Sequence, residues 1–172
     1  MRAVWWMIAG ILAANVALAE TKIGYVDMQR ALSESETGKK TRDDFKVQVD
    51  KLQGKLKRQK DEIDTLKDRL EKKSVVMKEE ERGNLEEEYR KKLRDFERDY
   101  KDSQADLQKK DNDLTGGIIR ELQEVIREYG DQNGYTVILE TNSNAVVYGA
   151  KSADVTDAII QRYNSASSAK RK

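Results

Sequence analysis

Apolar residues spaced alternately three and four apart in an otherwise charged chain limit the fold more than any other feature of this sequence. From Phe45 they fall at Val49, Leu52, Leu56, Ile63, Leu66, Leu70 and Met77, with Gln59 and Lys73 at the skipped positions of the seam. That beat is a heptad repeat, and everything between the seam residues is charged or polar. A second, less regular helical run reads Leu85, Tyr89, Leu93, Phe96, Tyr100, Leu107, Leu114, Ile118, Leu122, Val125 and Tyr129. With 38% of its 172 residues charged and no proline, the chain cannot bury a large core, but it can build long helices joined along a narrow apolar stripe.

Between the two runs the seam loses its beat over 74–85, where Gly83-Asn84 offers a break in the helix. A reversal there makes 37–129 an antiparallel helical hairpin, an arm on the order of 50 to 60 Å long at 1.5 Å per residue. The alternative is one uninterrupted rod. The hairpin is preferred because the chain has to return and close the small body formed by its two ends.

Charge is uneven along this arm. Lys39, Lys40, Arg42, Lys46, Lys51, Lys55, Lys57, Arg58 and Lys60 face only Asp43, Asp44 and Asp50 in the same stretch, while Glu79-Glu80-Glu81 and Glu86-Glu87-Glu88 crowd the turn. Such runs serve as solvated flanks of a coiled coil, and the basic stretch is also a surface for electrostatic contact with a client chain. Gly116-Gly117 interrupts good helix formers near the root of the returning helix, where two glycines cost about 2 kcal/mol of helical stability. The pair reads as a hinge, a local defect or a helix boundary.

The chain ends have strand character. Lys22 to Asp27 alternates around Ile23 and Tyr25; Asn133-Gly134 precedes Tyr135 to Glu140; and Asn142-Ser143-Asn144 leads into Ala145 to Tyr148, so the last two segments read as a β-hairpin. Asp154 can cap a short helix carrying Val155, Ala158, Ile159 and Tyr163, and the Ser/Ala/Lys-rich tail over 164–172 reads as disordered. Residues 20–36 and 130–163 thus form one small α+β body. It has too few apolar side chains to stand alone, so strands are expected to join between subunits, with Ile23, Tyr25, Val137, Leu139, Val146 and Tyr148 at the interface.

Met1-Arg2, the apolar stretch Ala3 to Val16 and the small-residue site Ala17-Leu18-Ala19 make residues 1–19 a secretory signal peptide, with cleavage after Ala19. The apolar stretch falls short of the roughly 20 residues that span a bilayer, so no transmembrane segment is expected in the mature chain. Losing Arg2 with the leader leaves 32 basic and 32 acidic residues, which gives no case for a nucleic-acid partner. Absence of histidine and cysteine removes imidazole bases, thiol nucleophiles and ordinary zinc sites, and the carboxylates and lysines sit at surface-like helical positions. No catalytic, cofactor-binding or metal-binding residue is assigned, and no enzyme activity is expected.

Several segments taken together resemble the Skp/OmpH family of periplasmic chaperones. Lys22-Ile23-Gly24-Tyr25-Val26-Asp27-Met28-Gln29-Arg30-Ala31-Leu32 with Thr37-Gly38-Lys39-Lys40 is similar to the family's first strand and the start of its arm. Glu79 to Tyr89 is similar to its turn into the returning helix, and Tyr135 to Leu139, Val147-Tyr148 and Asp154-Val155-Thr156-Asp157 to its closing strands and final helix. The resemblance implies a jellyfish-like homotrimer: an intersubunit β body bearing three helical-hairpin tentacles around a cavity for an unfolded outer-membrane protein, working without ATP. No phosphate-binding glycine loop is present. Well-known members are strongly basic and this mature chain is charge-balanced; no lipopolysaccharide site is carried over, because no compact basic motif matches one. The rival function is a structural coiled-coil scaffold or tether of the cell envelope.

Overall fold

The structure is a computed structural model and describes residues 21–73, 76–143 and 146–170; the signal peptide lies outside them. Strand β1 (Ile23–Val26) leads into helix α1 (Met28–Glu34), followed by α2 (Glu36–Lys73), α3 (Glu79–Asn133), strand β2 (Val137–Glu140) and α4 (Thr156–Lys170). Two 3₁₀ turns, Thr141–Ser143 and Lys151–Ala153, connect β2 to α4.

Helix α2 has 38 residues and is about 57 Å long at 1.5 Å per residue. It runs antiparallel to α3, as the expected hairpin does. Polar contacts across the seam fix the register: Lys110 reaches Gln48, Gln59 Nε2 donates to Asp99 Oδ2 at 2.9 Å, and Lys92 Nζ lies 2.8 Å from Glu62 Oε2. The apolar seam closes fully only toward the tip, where Ile63, Leu66 and Leu85 are buried. Gln59, one of the skipped seam positions, lies half-buried against Asp99 and replaces an apolar knob with a side-chain hydrogen bond.

The reversal lies between Lys73 and Glu79, so Gly83-Asn84 does not break the helix but sits inside the first turns of α3. Glu79, Glu80 and Glu81 place negative charge at the N-terminus of α3, and Lys72 and Lys73 place positive charge at the C-terminus of α2, both favourable to the helix dipoles. These terminal charges decide the ends more strongly than one exposed glycine does.

At the root, α1 and α2 are separated by a kink at Ser35. This residue is extended (ψ 150°) and fully buried, and its Oγ accepts the backbone N–H of Gly38 at 3.1 Å, which makes it the N-cap of α2. Gly38 is needed there, because a Cβ would lie 1.7 Å from the Leu32 carbonyl oxygen. The first N–H of α2, on Glu36, is taken by Asn164 Oδ1 of α4 at 2.9 Å.

Helix α3 ends at Gly134, whose φ of 67° is left-handed, while Tyr135 N–H returns to Gly130 O at 3.0 Å in a Schellman-type stop. β2 then pairs with β1 in parallel, Ile23 opposite Val137 and Tyr25 opposite Leu139. A parallel pair needs a long crossover; here the whole arm supplies it. The expected hairpin between β2 and 145–148 is not formed: 146–148 are outside any strand, and Asp154 makes an isolated parallel bridge to Tyr25. Of the tail expected to be disordered, 164–170 is helical, since α4 continues to Lys170, and 171–172 lie outside the described residues.

One face of the strand pair covers a core of Val26, Ala31, Ile118, Leu122, Val125, Val155, Ile159 and Tyr163. Polar groups tie the ends into it. Asp27 caps α1 through Arg30 N (2.8 Å), and its own N–H goes to the buried Thr156 Oγ1 (3.0 Å), which donates to Asp154 Oδ1 at 2.5 Å. Arg30 pairs with Asp157 and, at 3.8 Å, with Asp154.

Candidate functional site: an uncovered sheet face and a charged arm

Alternation along β1 buries Gly24 and Val26 against the core and turns Ile23 and Tyr25 to the other face, where they meet Val137 and Leu139 of β2. That face is left open: Ile23 is 52% and Val137 40% exposed. Beside it, Val147 and Tyr148 are 98% and 87% exposed, and Val146 is half-buried. Gly149 passes directly over the Tyr25 ring, where a Cβ would come within 2.3 Å of it. Of the six residues expected at an interface, Ile23, Val137 and Tyr148 are exposed, while Tyr25, which Gly149 covers, Leu139 and Val146 are half-buried. Fully burying an exposed side chain such as Val147 stabilises by about 1.5–3 kcal/mol.

All nine bases of the expected contact stretch, from Lys39 to Lys60, are exposed on α2. Lys55 pairs with Asp99 at 3.5 Å and Lys57 with Asp61 at 2.8 Å; among the described residues the other seven form no ion pair. The stretch is therefore a free cationic surface more than an internal brace. Lys55 and Gln59 together hold the Asp99 carboxyl below its usual range, the Gln59 hydrogen bond contributing most.

Gly116 and Gly117 lie within unbroken α3, so the helix-boundary reading is excluded. A Cβ on Gly117 would meet nothing within 4 Å, and one on Gly116 only Arg120 Nη1 at 3.5 Å. Packing does not demand either glycine.

Other features were not anticipated from the sequence. Tyr163, fully buried, donates its hydroxyl to Glu121 Oε2 at 2.6 Å, and burial followed by that bond pushes its phenol up to about 12. Phe96 and Tyr100 stack at 6.1 Å on the arm, and Lys22 Nζ sits 4.1 Å over the Tyr135 ring. Short helix α1 and the Ser35 kink were hidden as well, although Ser35 with a helix three residues on is a cap pattern. Among the described residues no group of three or more metal-ligating side chains gathers, and no helix is long and apolar enough to cross a membrane.

A long two-helix arm on a small α+β base with an uncovered sheet face defines a class of coiled-coil arm proteins. The profile of the outer membrane protein (OmpH-like) family matches residues 22–163, and the chain belongs to that family. It is 29% identical to a Skp-like protein of Pseudomonas aeruginosa, over 91% of this chain and 92% of that one. Against the chaperone protein Skp of Yersinia enterocolitica it is 26% identical over 88% and 91% of the two chains. The fold is also that of an OmpH-like protein from Caulobacter crescentus, with a TM-score of 0.78 at 16% identity and 85% of both chains covered.

Proposed function

We propose that this protein is an ATP-independent periplasmic holdase that binds unfolded outer-membrane proteins and keeps them from aggregating before membrane insertion. Family membership supports the chaperone role, as does a match to the Yersinia chaperone over 88% of this chain. The observation that carries the reading is the arm itself, about 57 Å of helix held by a thin seam and covered in charge. Many weak contacts along such an arm add through effective concentration, so a client is retained without a deep site and released without fuel.

Export by a leader cleaved after Ala19 puts the chain in the periplasm. The apolar face around Ile23, Tyr25, Val137, Leu139, Val146 and Tyr148 favours association with further copies, and the family resemblance makes that assembly a trimer. Three arms then surround a cavity, the free bases between Lys39 and Lys60 attract acidic stretches of client, and Gly116-Gly117 lets each arm flex at its root.

The test is light scattering during dilution of a urea-unfolded outer-membrane β-barrel protein, with and without the mature chain, at low and physiological salt. Suppression near three protomers per client, weaker as salt rises, is expected. No suppression at any excess of folded protein would leave the envelope scaffold as the better reading.

A further inference from the structure

Charge divides along the arm by height. The antiparallel register sets 39–60 of α2 beside roughly 98–119 of α3. This root half carries 13 bases against 8 acids, whereas the tip half, 61–97, carries 10 bases against 13 acids. At the root the excess charges are also available ones; at the tip Arg69, Lys73, Lys78, Lys91 and Arg94 are exposed without an ion pair among the described residues, and the acidity concentrates over 79–88, six glutamates against Arg82. Lys39, Lys40, Arg42, Lys46, Lys51, Arg58 and Lys60 are exposed and form no ion pair among the described residues, and neither do the exposed Glu80, Glu81, Glu87 and Glu88. The α3 side of the root, with Arg98, Lys101, Lys109 and Lys110 against five aspartates, is close to neutral and does not cancel the α2 bases.

From the middle of the basic stretch to the acidic cluster at the turn is about 36 Å at 1.5 Å per residue. That is several times the screening length of about 8 Å at physiological salt, so the two ends act as separate charges. Arms pointing the same way set base beside base and acid beside acid. Two arms laid antiparallel and overlapped by about 36 Å set each acidic tip on the other's basic root, a self-complementary contact with two-fold symmetry.

We propose that the arms of two copies pair in this antiparallel way, joining two particles tip to root when salt is low. The occupant of the basic surface is then the acidic tip of a second copy. This inference does not depend on client capture, and its test contains no client.

The measurement is sedimentation-velocity mass of the mature chain at about 0.01 M and about 1 M salt, where screening lengths are about 30 Å and 3 Å. The mass at high salt defines the unit, and a doubling of that mass at low salt is expected. Reversing the root (Lys51→Glu, Arg58→Glu and Lys60→Glu together) or the tip (Glu81→Lys, Glu87→Lys and Glu88→Lys together) abolishes the doubling in each variant alone. Mixing the two variants restores it, because one arm is then net acidic, with 10 bases against 11 acids left at its root, and the other is basic in both halves, with 13 bases against 10 acids at its tip. Circular dichroism checks that these exposed substitutions leave the helices intact. One mass at both salts, a doubling that survives either reversal, or a mixture that fails to associate while helical content is kept overturns the proposal.

Discussion

Ser35 and Gly38 together set the angle at which the arm leaves the base. Ser35 Oγ satisfies a backbone donor in a buried kink, and replacing a capping serine with alanine costs about 1 kcal/mol. Gly38→Ala has a harsher effect, since the new methyl would collide with a backbone oxygen that no rotamer change can move. We expect Gly38→Ala to lower the unfolding free energy by more than 2 kcal/mol, on the order of an overpacked core, and Ser35→Ala by about half that. Urea unfolding followed by circular dichroism measures both, and equal midpoints for Gly38→Ala and wild type would contradict the close packing. Little at this scale was legible beforehand. The Tyr163–Glu121 bond and the Thr156 bridge join residues far apart in sequence, and no local pattern announces such pairs.

At the scale of elements the sequence was far more informative, because a heptad seam is a repeating signal that accumulates over 30 residues or more. Both long helices and their antiparallel pairing were readable from it. The turn falls inside the expected 74–85 interval, but before Glu79 and not at Gly83-Asn84, because an exposed glycine is a weak stop beside helix-dipole charges such as Glu79 to Glu81. The proposed third strand did not form: Val147 and Tyr148 have strand-forming side chains but stay almost fully exposed, outside any strand. At Gly116 and Gly117, packing permits alanine, so Gly116→Ala with Gly117→Ala raises helical stability by about 2 kcal/mol in total. If the root must flex, protection of unfolded client drops while the melting temperature climbs, a trade of activity for stability. Undiminished protection by the stiffened arm would remove the hinge.

For the whole molecule, the open sheet face decides whether a single chain is a finished object. Val147 and Tyr148 contribute almost nothing to the fold of their own chain, so Val147→Ser with Tyr148→Ser changes intrachain stability within about 0.5 kcal/mol. Their loss lowers the assembled mass measured by sedimentation at physiological salt, if this face joins subunits. An unchanged mass would place the interface elsewhere. The sequence led only to the expectation that the small body associates with other copies. Which copies meet, and at which residues, depends on strand pairing that a lone chain leaves incomplete.

The parallel pairing of β1 with β2 has a consequence for how the protein is born. Some 110 residues separate Val26 from Val137, and bringing such distant points together in a random chain costs about 4 kcal/mol in loop entropy alone. An arm that zips from its turn through local contacts shortens that loop before the strands meet, much as a closing fastener brings two ends of cloth together. A chain that emerges from its N-terminus must therefore hold β1 unpaired until almost all of the arm has followed. During that interval the first strand is itself an exposed apolar segment, the same hazard that a holdase exists to contain.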